Sequence, residues 1–188
     1  FLNFINMMEF KPFELGDREI IEQYILKSGC NNCDFSYANL YFFRSFYRLE
    51  WAIYNEFLVM RVHLGRYKVP GYMQPLGDGD WIGILKKLKE EANSIGETLR
   101  LFYIGCSSIK ELEKSEWGKK LYLFNDRASA DYIYDRETLA NLHGSKLQPK
   151  RNHVNKFEKS YEPRTELLTK KHYEEVEKML DDWVGEKH

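Results

Sequence analysis

Tyr72–Ile95, YMQPLGDGDWIGILKKLKEEANSI, holds in one run the three signals that decide the fold: a short apolar stretch, a glycine turn and a long amphipathic helix. Tyr72 to Gln74 reads as a short strand that ends in QPLGDGD. Trp81, Ile84, Leu85, Leu88, Ala92 and Ile95 then recur at helical spacing with charges opposite, which predicts a helix with one buried face. Asp80 stands where a side-chain oxygen accepts a first-turn N–H, and Gly96 where a helix closes in left-handed backbone. A helix with a single apolar stripe must lay it on another layer, and the strand before it points to a sheet.

Working outward, Glu9 to Phe13 reads as a short strand that Pro12 places near a sheet edge. Asp17 is positioned to cap a helix with an Ile20, Ile21, Tyr24, Ile25 face, closed by Ser28-Gly29. Residues 36 to 47, SYANLYFFRSFY, carry aromatics nearly all round, predicting a second helix held between the sheet and other elements, with Arg44 and Arg48 on its wet side. Glu50 to Tyr54 and Phe57 to His63 form a predicted hairpin turning at Asn55-Glu56, followed by a turn-rich break from Gly65 to Gly71. Beyond the long helix, Leu99 to Ile104 reads as a buried strand. Ser107 or Ser108 is expected to cap a helix ending near Lys114. Leu121 to Phe124, Asp131 to Tyr134 and Thr165 to Leu168 are expected strands. Asp135 or Thr138 is expected to open a helical turn, and Tyr173, Val176, Leu180 and Trp183 to line a terminal helix. The order is that of an α/β fold with a mixed sheet.

At 188 residues and 43% hydrophobic, the chain can bury the core of one domain or one and a half. A net charge of −1 and a pI near 6.6 exclude a general nucleic-acid coat and leave anion binding to local patches. No apolar run approaches the roughly 18 residues needed to cross a bilayer, so no integral membrane segment is expected. The opening FLNFINMM is too short and uncharged for a signal peptide, and a soluble, cytoplasmic protein is expected. Cys30-Asn-Asn-Cys33 has zinc or redox spacing, but there is no second pair and Cys106 is distant. An Asn-rich loop without metal is expected.

The charge balance breaks at residues 139 to 159, LANLHGSKLQPKRNHVNKFEK. Lys146, Lys150, Arg151, His153, Lys156 and Lys159 gather there against one acid, Glu158. Pro149 suits the opening turn of a helix. Cations in that first turn oppose the helix dipole and do not stabilise the helix. With the free N–H groups, Lys146, Lys150, Arg151, Asn152 and Lys156 form a candidate phosphate-binding set. The rival reading is a solvated basic helix whose lysines lie along an apolar stripe of Leu147, Val154, Phe157 and Tyr161. His153 is the one candidate general base, although a lone helix histidine is more often only a surface or capping residue.

Two resemblances add to this. Gln74, Gly77 and Gly79 in Q-x-x-G-x-G resemble the acyl-CoA pyrophosphate loop of the GCN5-related N-acetyltransferase fold, and the element order is similar to that fold. This implies a mixed, mostly antiparallel sheet flanked by helices, with those three residues as cofactor-binding positions. A tight turn plus helix cap is the alternative, because Asp78 and Asp80 put negative charge where a diphosphate would lie. DYIYDRETLANLHGSKLQPKRNHVNKF, residues 131 to 157, resembles the DUF2156 family, related to the C-terminal domain of phosphatidylglycerol lysyltransferase, and NCDFSYANLY at 32 to 41 is similar to its N-terminal helix. The resemblance implies tandem N-acyltransferase-like domains. Residues 1–7 would be a leader, 8–143 the first domain, 144–160 a basic interdomain helix and 161–188 the start of an incomplete second domain. It implies acyl or aminoacyl transfer from aminoacyl-tRNA or acyl-CoA to a lipid or amine. The expected partners are a tRNA acceptor end, phospholipid head group or CoA phosphate, together with the second domain. The alternative is a non-catalytic module that keeps the fold and binds phosphate, RNA or a protein partner.

Overall fold

Two alternating apolar runs joined by a two-residue turn form the hairpin on which the sheet is built. In the computed structural model, which describes residues 7–64 and 69–185, β2 (Glu50–Tyr54) pairs antiparallel with β3 (Phe57–Leu64), placing Trp51 opposite Met60 and Tyr54 opposite Phe57. Asn55 and Glu56 both take positive φ, at 46° and 63°, which matches the twist of the strands they join. The segment 65–68 of the expected turn-rich break lies outside the described residues.

β3 is buried on both faces, and its alternation sorts the core into two layers. Phe57 and Val59 join Ala52 and Tyr72 against α3 (Trp81–Ser94), whose Trp81, Ile84, Leu85, Leu88 and Ala92 are the residues the helical spacing selected. Leu58, Met60 and Val62 join Trp51 against Ile21 of α1 (Arg18–Ser28) and Phe35. Burying five apolar side chains from one strand contributes on the order of 1.5–3 kcal/mol each before chain entropy is counted. β1 (Lys11–Pro12) sits at the edge on β2, where the missing proline N–H matters least. β4 (Val69–Met73) pairs antiparallel with β3, and β5 (Leu76–Gly77) pairs with the start of β3. β6 (Leu101–Phe102) lies parallel to β4, because α3 carries the chain back across the sheet between them. The order is β1-β2-β3-β4-β6 with β5 on β3: a mixed, mostly antiparallel open sheet flanked by helices.

Asp80 caps α3 as expected, accepting the Gly83 N–H at 2.8 Å, and Gly96 takes φ 75°. α1 closes on Gly29 at φ 63°. Several expectations are corrected. Leu121 to Phe124, Asp131 to Tyr134 and Thr165 to Leu168 are not strands, and Tyr122, Phe124, Tyr132, Ile133 and Leu167 stand in solvent. Their β-forming composition meets no partner strand among the described residues, and a strand without a ladder has unpaired backbone and no face to bury. The run at 99 to 104 yields only the two residues of β6, half-buried. α4 (Cys106–Lys114) begins after Gly105, not at a serine cap. α2 (Tyr37–Phe43) is not held between layers: it buries only Leu40, while Phe42, Phe43 and the following Phe46 are exposed.

The chain divides into two compact units, residues 1–131 and 132–188. The second contains α5 (Arg136–Asn141), α6 (Gln148–Tyr161) and α7 (Tyr173–Gly185). None of its described residues is buried.

Candidate functional site

α6 starts from a turn that is built for it. Asp135 accepts the Thr138 N–H at 2.7 Å to open α5, and Leu142 ends α5 at φ 50°, with Gly144 following at φ 89°. Arg151 reaches back from the first turn of α6. Its guanidinium donates to the Leu142 and Gly144 carbonyls, the latter at 2.8 Å. The Gly144 carbonyl also accepts the Leu147 N–H at 3.3 Å, so Arg151 adds a second donor there, and the direction of α6 is fixed relative to α5. Arg151 is therefore half-buried and positioned by backbone, with guanidinium N–H groups to spare.

Around it, Lys146, Lys150, Asn152, His153 and Lys156 are exposed. None makes an ion pair or side-chain hydrogen bond among the described residues. The first turn of α6 has no acid and no side-chain cap, with Leu147 at the N-cap and Pro149 within the opening turn. The Leu147 and Gln148 N–H groups donate to the Gly144 and Ser145 carbonyls and Pro149 has none, so it is two lysines at the positive end of a fourteen-residue helix, with no competing carboxylate, that make this end receptive to phosphate or carboxylate. The apolar stripe beside Lys150 remains in water: Val154, Phe157 and Tyr161 are exposed, and the last two rings touch with centroids 5.1 Å apart. No carboxylate among the described residues orients His153.

Gln74, Gly77 and Gly79 each have a structural task. The Gln74 side chain accepts the Gly105 N–H at 2.8 Å and so holds the start of α4. Gly77 lies in the β5–β3 pair, where a Cβ would stand 2.3 Å from the Glu56 carbonyl oxygen. Gly79 supplies φ 133°, Asp78 pairs with Lys27 at 3.2 Å, and Asp80 already fills the N-terminus of α3. The adjoining cavity, about 260 Å³, is lined by Glu56 and Asp78 as well as Lys27. Turn and cap chemistry thus accounts for the motif, and its carboxylates oppose a diphosphate.

Cys33 faces the Asp131 carboxylate, which accepts from its backbone N–H at 3.2 Å and its Sγ at 2.9 Å. The hydrogen bond to Asp131, with burial and the Asp34 charge, pushes the Cys33 thiol from about 9 up to about 11. Since the charged thiolate is the disfavoured form, the raised value suppresses nucleophilicity until pH approaches 11. At pH 8 the thiolate fraction is about a hundredfold below that of a thiol near 9. In a Cys30→Ser, Cys106→Ser background, iodoacetamide labelling of Cys33 at pH 8 is expected to be slow and to accelerate on Asp131→Ala. Equal rates would show that the contact does not control the thiol. Among the described residues, no group of three His, Cys, Asp or Glu is arranged to hold a metal ion.

The structure also places a groove that the sequence reading did not single out. About 730 Å³ in volume, it is lined by Phe13, Tyr41, Arg44, Arg48, Glu50 and His63, among others. Arg44 lies over the Tyr41 ring, its guanidinium carbon 3.9 Å from the centroid, and Glu50 is held by Arg61 at 2.6 Å. The His63 Nδ1 is buried without a hydrogen-bond partner among the described residues. The sequence signal was R-x-x-x-R at Arg44 and Arg48, one helical turn apart, but only tertiary packing brings His63 beside them.

A crystal structure of a conserved protein of unknown function from Bacteroides thetaiotaomicron VPI-5482 superposes with a TM-score of 0.81 at 33% identity, covering 96% of this chain and 60% of that one. The chain therefore spans about 60% of the length of that relative. No curated protein matches the chain. The family model described as phosphatidylglycerol lysyltransferase, C-terminal, matches residues 28–188, from the end of α1 through the basic helix and α7. The chain belongs to the phosphatidylglycerol lysyltransferase C-terminal family.

Proposed function

We propose that this chain carries part of an aminoacyltransferase that moves an aminoacyl group from an aminoacyl-tRNA to a lipid hydroxyl. The family match over residues 28–188 carries the proposal, and it includes the basic helix. In such a step the lipid oxygen attacks the aminoacyl carbonyl, the ester bond to tRNA breaks, and the acceptor proton passes to the departing tRNA oxygen. The protein supplies position and oxyanion stabilisation. Lys146, Lys150 and Lys156 hold tRNA phosphates, Asn152 adds a polar contact, and Arg151 both braces the turn and offers its remaining N–H groups. The finer fold reading is GCN5-related N-acyltransferase-like, supported by the run β4, glycine turn, α3, parallel β6. The apolar faces of α6 and α7, with Phe157, Tyr161, Met179, Leu180 and Trp183 exposed, are the surfaces that would pack against a second domain.

The full-length protein tests this. Lys146→Ala with Lys150→Ala and Lys156→Ala is expected to lower transfer from aminoacyl-tRNA to phosphatidylglycerol. It should also reduce the salt slope of tRNA binding by about 2, from three lost contacts at about 0.7 each. An unchanged slope would remove the helix from the tRNA site. Binding without transfer in the wild type would favour the non-catalytic reading instead.

A further inference from the structure

Residues 37 to 49, YANLYFFRSFYRL, form the two turns of α2 and the corner that leads into β2, and they contain no acid. Helical geometry continues past α2, with the Tyr47 N–H on the Phe43 carbonyl at 3.0 Å, so Phe43, Phe46 and Tyr47 share one side. Their rings touch: Phe43 and Tyr47 at 5.8 Å, Phe46 and Tyr47 at 5.0 Å. A second string runs through Tyr37, Tyr41 and Phe42, each step near 6 Å. Phe42 is 76% exposed and Phe46 63%, and Leu15, which also lines the adjoining groove, is 62% exposed. Fully buried phenylalanines in this protein, Phe35 and Phe57, show that the fold can bury such rings.

Two cations stand among the exposed rings. Arg44 lies over Tyr41, and Arg48 is exposed with φ 47°, making no side-chain ion pair among the described residues. Both also line the groove, where Glu50 is neutralised by Arg61 and Glu14 remains. Neither arginine has a carboxylate partner among the described residues, although Arg44 also donates to the Tyr41 carbonyl at 2.6 Å; aromatic rings beside such arginines, with no acid in the segment, are complementary to one kind of surface. They suit an interface with apolar acyl chains below and anionic phosphates above.

We propose that the α2 corner is a membrane-docking surface: Phe42, Phe43 and Phe46 enter the headgroup boundary of an anionic bilayer while Arg44 and Arg48 meet lipid phosphates. Among the described residues no helix is long and apolar enough to cross a membrane, so contact through this corner is peripheral. The proposal goes beyond the transferase reading and needs no transfer to occur. It brings the groove beside the corner to the depth of lipid headgroups.

Co-sedimentation with vesicles of phosphatidylglycerol and phosphatidylcholine, against phosphatidylcholine alone, tests it without an activity readout. The full-length protein is expected to prefer the anionic vesicles. Phe42→Ser with Phe46→Ser should weaken that binding roughly tenfold or more, since two exposed rings lose their burial in lipid. Arg48→Gly should weaken it about fivefold, and because glycine suits the left-handed backbone it cannot act by unfolding the corner. Lys110→Ala, at an exposed position of α4 outside both the corner and the basic helix, should leave it unchanged. Loss on Lys150→Ala with no effect of the corner variants would overturn the proposal, as would equal binding to both vesicles. So would a dimer that the Phe42→Ser, Phe46→Ser variant dissociates while vesicle binding persists. Tight binding of soluble glycerophosphoglycerol, lost on Arg48→Gly with vesicle binding retained, would also overturn it in favour of a headgroup pocket.

Discussion

Gly77→Ala is expected to destabilise the fold by about 3 kcal/mol, at the upper end of what overpacking costs. The reason lies in what the new methyl would meet. Its Cβ would stand 2.3 Å from the Glu56 carbonyl oxygen and 2.8 Å from the Phe57 Cα, both backbone atoms of the β2–β3 hairpin. A flexible side chain could swing aside, but these atoms cannot move without breaking the pairing of Gly77 with Phe57 and of Leu76 with Leu58. Gly16→Ala is the control, because nothing lies within 4 Å of a Cβ there, and it should shift the urea midpoint little. The comparison separates two meanings of a G-x-G turn. A glycine kept for a ligand's phosphates would accept alanine with little loss of stability, whereas one kept for strand packing would not. Equal midpoints for the two variants would refute the packing account.

Lys87→Ala is the second large effect, expected to cost about 3 kcal/mol. Glu91 is 3% exposed, deep under α3, and accepts the Met8 N–H at 2.9 Å. Lys87, one turn earlier and itself largely covered, lies 3.4 Å away and balances the charge. Its other neighbours, Glu90 at 3.9 Å and the Tyr54 ring at 5.8 Å, are weaker contacts. Removing the lysine leaves a carboxylate in the core with one hydrogen bond, a more expensive state than the intact pair or an uncharged replacement. Adding Glu91→Gln should therefore recover much of the loss, since the amide oxygen keeps the Met8 bond without the charge. A double-mutant cycle by urea denaturation gives the coupling directly, and additive losses would show that the pair is not coupled.

How much of this was legible in the sequence depended on the range of the interaction. The α3 stripe, the Asp80 cap, the Gly29 and Gly96 stops and the Asn55-Glu56 hairpin all followed from rules that act within a few residues, and all stand in the structure. The edge position of β1 followed from Pro12. LYLF at 121 to 124 and DYIY at 131 to 134 carry the same β-forming residue types as β3 and yet form no strand. Strand formation needs a partner, and residue type cannot supply one. The site divided in the same way. The density of cations on α6 is written in the chain, but the use of Arg151 to brace the Leu142 and Gly144 carbonyls required the α5–α6 turn to be folded.

The sequence by itself determined the local pieces, the basic helix and the family resemblance, because periodicity, capping residues and charge are local properties. Tertiary structure alone decided that Gly77 serves a strand pair, that Cys33 answers to Asp131 across 98 positions, and that Phe42, Phe43 and Phe46 face water. Each of these depends on which distant backbone comes within a few ångströms. Packing fixes that distance, and no residue carries it alone.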